Sequence, residues 1–244
     1  MRIRVINPNT TDRMTALIDS AASSAAAPDT EITTLSPSFG APSIECHHDD
    51  VWAAAGVVEQ VRLGEAQGAD AYVIACFGDP GLHAARELAR GPVIGIAEAA
   101  FHAASLVATG FSVVTTLTRT CVIAEHLVLQ YGFERRCRGI HGTDLAVLEL
   151  DDPASDAYER ILACARQALA QDRAGAIVLG CAGMAELCHR LQHELGVPVI
   201  DGVAAAVKFA EALVGLGLGT SKHGDYAPPP TKTYAGLAAP CSPR

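Results

Sequence analysis

The apolar positions of this chain fall into two kinds of run. Tyr72-Val73-Ile74-Ala75 and Ala176-Ile177-Val178-Leu179 are short and continuously apolar, the pattern of strands covered on both faces. Between such runs lie longer alanine-rich stretches, as over 50–67 and 155–171, that suit helices. Strands alternating with helices predict parallel sheets flanked by helices, an α/β fold.

The pattern then repeats. Ala69 to Leu82 reads ADAYVIACFGDPGL and Ala174 to Leu187 reads AGAIVLGCAGMAEL. Without gaps these match at Ala69/Ala174, Ala71/Ala176, Val73/Val178, Cys76/Cys181, Gly78/Gly183 and Leu82/Leu187. Pro92-Val93-Ile94 recurs as Pro198-Val199-Ile200, and Arg4 to Pro8 lines up with Ser112 to Thr116. A period of about 105 residues is that of a duplicated lobe, not a solenoid.

Each half predicts the same order. Strands fall at Ile3–Ile6, Glu31–Leu35, Ala71–Ala75 and Val93–Gly95, then at Phe111–Thr115, Cys137–His141, Ala176–Gly180 and Val199–Asp201. Helices fill the intervals, with Pro80–Ala89 and Met184–Leu195 following the two cysteine-bearing turns. The expected architecture is two pseudo-symmetric lobes, 1–105 and 106–219, each a parallel sheet flanked by helices, with the active site in the cleft between them. The final helix could fold back on the first lobe. Pro228-Pro229-Pro230, Pro240 and Pro243 predict an extended tail over 220–244, partly ordered at best.

Composition narrows the function. Half the residues are apolar, 18% are charged, and the formal charge is −9. That balance suits a soluble enzyme and carries no basic stripe for nucleic acid. The first ten residues do not form a signal peptide, and the apolar stretch Val203 to Leu218 is broken by Lys208 and Glu211. The expectation is a cytoplasmic protein with no membrane or nucleic-acid partner.

Eight cysteines without a secretory signal do not predict a disulfide framework, and no C-x2-C spacing for zinc occurs. Cys76 and Cys181 stand apart because each ends the buried strand of its repeat. Ligands of such sheets lie beyond the carboxyl ends of the strands. Asp79 is a plausible N-cap with Pro80 in the first helical turn, and the helix end favours thiolate. Turn amides around Phe77, Gly78, Ala182 and Gly183 could hold an anionic oxygen.

A pair of core cysteines preserved by repeat symmetry is the plainer alternative. Facing thiol and thiolate would instead suit proton transfer on both faces of a carbon beside a carbonyl. That chemistry needs no metal or organic cofactor, and neither a P-loop nor G-x-G-x-x-G is present.

His47-His48-Asp49-Asp50 superficially suggests a metal cluster, yet Asp49 or Asp50 reads better as a helix N-cap. Glu98 and Asp201 follow strand mouths and read as helix caps; Cys188-His189 reads as packing plus surface. No metal site is expected.

Ile6-Asn7-Pro8-Asn9-Thr10-Thr11, Ala75-Cys76-Phe77-Gly78-Asp79-Pro80-Gly81 and Gly180-Cys181-Ala182-Gly183-Met184 together resemble the aspartate/glutamate/hydantoin racemase superfamily, and within it the hydantoin and allantoin racemases. Pro42-Ser43-Ile44-Glu45 and Val113-Val114-Thr115-Thr116 fit the same pattern, so the likeness covers about residues 1–235. The resemblance implies catalysis by Cys76 and Cys181, no cofactor, and a homo-oligomer. It implies substrate binding by Asn9 and Thr116, with Thr10 and Thr118 beside them. Phe77, Ile44 and Ile96 are candidate walls or ordinary core.

The implied activity is cofactor-independent racemisation of 5-substituted hydantoins at C5. That carbon acid sits beside a carbonyl in a neutral cyclic ureide, so no Arg or Lys clamp is required. Allantoin, a hydantoin with a ureido group at C5, is the first alternative substrate. Amino-acid racemisation, decarboxylation on the same scaffold, and a two-lobed small-molecule binding protein without catalysis are the remaining alternatives.

Overall fold

A computed structural model describes residues 1–151 and 155–242. The first lobe holds strands β1 (Arg2–Ile6), β2 (Glu31–Leu35), β3 (Ala71–Ile74) and β4 (Val93–Gly95), hydrogen-bonded in the order β2-β1-β3-β4. The second holds β5 (Phe111–Thr115), β6 (Cys137–Gly142), β7 (Ala176–Leu179) and β8 (Val199–Ile200), in the order β6-β5-β7-β8. Every pairing is parallel. The two parallel sheets predicted from the repeat are therefore present, with the same strand order in each.

That order decides where a ligand can sit. From β1 the chain moves to β2 on one side, then crosses to β3 on the other. The connections leaving β1 and β3 thus diverge, opening a crevice at their carboxyl ends. The second sheet opens the matching crevice beyond β5 and β7. Register places Ile6 opposite Ile74 and Val114 opposite Leu179, so equivalent strands end level in the two lobes.

The helices are α1 (Asp12–Ala25), α2 (His47–Gln67), α3 (Leu82–Leu88), α4 (Ile96–Val107), α5 (Cys121–Gln130), α6 (Ala157–Asp172), α7 (Cys188–Leu195) and α8 (Gly202–Gly215). Helix α4, which follows the first sheet in sequence, packs on β7, whereas α8, which follows the second, packs on β3. The last helix of each repeat therefore covers the other repeat's sheet. One hydrophobic core consequently runs through both lobes, from Ile3, Val5 and Val73 through Phe101 to Phe111, Val113 and Val207. Phe101 lies at its centre, with its ring centroid 5.4 Å from that of Phe111 and 5.7 Å from those of Phe77 and Phe133. Burying such rings together, rather than a hinge, sets the relative position of the sheets.

Two cap assignments differ from the sequence expectation. Helix α3 begins only at Leu82, behind Gly81 in the left-handed region. Asp79 instead turns its carboxylate away from α3 and accepts the backbone N–H groups of Ala97 (3.1 Å) and Glu98 (3.0 Å) at the start of α4. Three-dimensional proximity supplied a better set of unpaired amides than the adjacent helix did. Helix α2 starts at His47 with Cys46 as its N-cap residue, so Asp49 and Asp50 lie within the first turn. Asp201 does cap α8, accepting from Val203 and Ala204. Glu98 pairs with Arg86 rather than standing in solvent.

The segment after α8 runs back over the first lobe. Thr220 bonds the carbonyls of Arg90 and Gly91, Lys222 donates to those of Arg86 and Glu87, and the Tyr226 ring stacks on His83. The predicted tail is thus anchored through Tyr226. Among the described residues no helix is long and apolar enough to cross a membrane and no cluster of three metal-ligating side chains occurs, and the cysteines from Cys46 to Cys188 form no disulfide.

Candidate active site

The two crevices face one another and form a single cleft, open to solvent. Cys76, just beyond β3, and Cys181, just beyond β7, both line it. The two thiols are near enough to interact electrostatically. The duplicated sequence therefore brings one cysteine from each lobe to a shared space.

Asn9, Ile44, Phe77, Gly78, Thr116, Ala182 and Gly183 also line the cleft. Asn9 lies two residues beyond a buried Asn7 whose amide donates to the Asn9 carboxamide oxygen at 2.9 Å. The Thr11 N–H donates to the same oxygen at 2.9 Å. These bonds fix the carboxamide and leave its NH2 group to donate toward a ligand. Thr116 directly follows β5; its carbonyl accepts from Thr143 and Asp144, which fixes the strand end.

Thr10 and Thr118 are not among the lining residues. The Thr10 hydroxyl turns to the Ala41 carbonyl, and the Thr118 amide is bound by Asp144. Both positions belong to the walls' supports. Ile96 is fully buried in the central core, so of its two sequence readings the core one describes its position.

Besides the strand-end residues Ala75, Thr115 and Gly180, the walls missed from sequence are Met14, Asp50, Thr120, Ile123, Ala124 and Val147. They come from α1, α2, the stretch opening α5, and a short turn of helix at Val147–Asp151. The Val147 N–H donates to Glu45 at 3.2 Å, joining the Ile44 loop of one lobe to the other. No local signal marks an apolar helix residue as a cleft wall rather than core; only packing separates them.

The electrostatics also differ from expectation. Burial pushes the Cys76 thiol up to about 12, although the Gly78 N–H opposes this. Negative charge on Cys181, Asp50 and Asp79 raises it further. The sequence suggested a thiolate stabilised by a helix end. With α3 starting six residues downstream at Leu82, that helix end is too remote, and desolvation wins. Cys76 therefore rests as a thiol, a proton donor. Asp50, partly buried, is likewise raised, first by burial, with His47 opposing.

Two parallel-sheet lobes, interlocked through their last helices and carrying one thiol each at a common cleft, define a two-lobed α/β enzyme of the racemase type. The chain belongs to the Asp/Glu/Hydantoin racemase family, whose model matches residues 3–210. It is 51% identical over 236 residues to a hydantoin racemase of Rhizobium meliloti, covering 97% of this chain and 98% of that protein. A hydantoin racemase from Pseudomonas sp. (strain NS671) is 50% identical over 236 residues, covering 97% and 95%. The solved structure of allantoin racemase from Klebsiella pneumoniae superposes with a TM-score of 0.98 at 57% identity, covering 100% of both chains.

Proposed function

We propose that this protein racemises 5-substituted hydantoins without a cofactor, using Cys76 and Cys181 as a two-base pair. The observation that carries the proposal is the shared cleft, with the two repeat-equivalent cysteines lining it together. One sulfur, as thiolate, removes the C5 proton. The electron pair moves into the C4 carbonyl, giving an enolate. The other sulfur, as thiol, returns a proton to the opposite face of C5. For the mirror-image substrate the roles exchange. The high proton affinity of Cys76 makes its thiolate a strong base once formed.

The cleft walls suit a neutral ring. Asn9 and Thr116 can donate to carbonyl oxygens, as can the turn amides near Ala182 and Gly183, and no Arg or Lys is among the described residues that line the space. Allantoin is the second reading, supported by the likeness to the Klebsiella pneumoniae allantoin racemase and by the polar wall at Asp50 and Thr120.

The test is proton exchange in D2O with single enantiomers of a 5-alkyl hydantoin, a 5-aryl hydantoin and allantoin. Cys76→Ser and Cys181→Ser should each abolish racemisation. Each should retain exchange with one enantiomer only, and opposite ones, because one base survives. Exchange of both enantiomers in both variants would overturn the two-base assignment.

A further inference from the structure

Among the described residues that line the cleft, Asp50 is the only ionisable side chain besides the two cysteines. It sits in the first turn of α2, where the helix end tolerates negative charge. Its carboxylate borders the reacting space directly. A methyl group built on Gly78 would lie 3.4 Å from Asp50 Oδ1, 3.8 Å from Ile123 Cγ2 and 3.9 Å from Cys76 Sγ. One small volume over Gly78 is therefore walled by the carboxylate, the sulfur and an apolar side chain. The other acidic groups near the site are already engaged. Asp79 is held by two amides and a tyrosine hydroxyl, and Glu45 accepts from Val147. Among the described residues Asp50 has no such donor: its backbone N–H goes to Cys46, and His47 is the charge partner that acts on its carboxylate.

We propose that Asp50 is a specificity-determining residue: it accepts a hydrogen bond from an N–H of a neutral ureide and excludes substrates that carry a carboxylate near the reacting carbon. This rests on the racemase reading above. A ureide or amide N–H placed over Gly78 meets a charged acceptor, one of the stronger classes of hydrogen bond. A carboxylate in the same place meets a like charge across a partly dehydrated gap, with no cation among the described lining residues to offset it. The same scaffold thereby selects neutral cyclic ureides over acidic carbon acids by one side chain.

The experiment compares two near-isosteric substrates, hydantoin-5-acetate and hydantoin-5-acetamide, in wild type, Asp50→Asn and Asp50→Glu. Wild type should prefer the amide in kcat/KM by roughly tenfold or more. Asp50→Asn should collapse that preference toward unity, chiefly through a lower KM for the carboxylate. Asp50→Glu, which restores the charge, should restore discrimination. Any effect of Asp50 on the Cys76 thiol acts on both substrates and cancels in the ratio. An unchanged ratio in Asp50→Asn, or equal losses on both substrates, would overturn the assignment. Failure of wild type to racemise either compound, or any 5-alkyl hydantoin, would instead overturn the racemase reading.

Discussion

The Tyr131 hydroxyl donates to the Asp79 carboxylate at 2.8 Å and thereby ties the end of α5, in the second lobe, to the turn that follows Cys76 in the first. Asp79 adopts a positive φ of 45°, a conformation that aspartate tolerates better than most side chains. Its carboxylate also caps α4, the helix that packs on the opposite sheet. One buried carboxylate thus links the Cys76 turn, the crossing helix and the wall carrying Thr120, Ile123 and Ala124.

Tyr131→Phe should lower unfolding free energy by about 1–3 kcal/mol, because a buried acceptor loses a donor while the ring packing against Phe101 is kept. Urea denaturation of the single variants and of the double variant with Asp79→Asn measures the coupling. Additive losses would show that the bond contributes nothing of its own.

Stability should also depend on Asp79 through pH. Burial raises its carboxyl to about 7, despite the opposing amides of Ala97 and Glu98. The unfolded chain releases this proton near pH ~4, whereas the folded protein keeps it until near neutrality. Between those values the native state binds more protons. This group's contribution therefore favours folding most below the lower value, declines as pH rises through the window, and is constant above it. Subtracting the stability profile of Asp79→Asn from that of wild type should reveal that decline; parallel profiles would contradict it.

Activity should follow the Cys76 thiol. For the enantiomer on which Cys76 acts as base, kcat/KM should rise about tenfold per pH unit through the mildly alkaline range, as thiolate becomes available. Asp50→Asn removes a negative neighbour that raises this thiol, so its profile should shift toward lower pH. Single-enantiomer exchange in the Cys181→Ser background isolates the relevant limb.

Gly78 and Gly180 should respond differently to alanine. A Cβ at Gly78 meets only ordinary contacts and projects into the cleft, so stability should change by less than about 0.5 kcal/mol. Turnover of substrates with bulky 5-substituents should fall more than that of small ones. A Cβ at Gly180 would lie 2.6 Å from Thr115 Cβ, so that variant should lose about 1–3 kcal/mol by forcing β5 and β7 apart. Calorimetry beside a substrate-size series checks both.

The sequence by itself determined the duplication, the parallel-sheet lobes and the matching places of Cys76 and Cys181 at the strand ends. Those features are written in short-range code: continuous apolar strands, helical intervals, and a cysteine at the same place in each repeat. Asn9, Thr116 and the glycines after the cysteines were legible for the same reason, since strand ends mark the mouth of such sheets. Only the tertiary structure decided the rest. Helices α4 and α8 exchange sheets because burying Phe101 among rings from both lobes is a long-range outcome that no local pattern encodes. Asp79 caps α4 instead of α3, and Asp50 becomes a cleft wall instead of a cap, because a carboxylate goes to whatever donors or open space the finished packing brings to it. The Cys76 thiol rises for the same reason: dehydration is a property of the assembled cleft, and a strand-turn-helix motif read along the chain carries no measure of it.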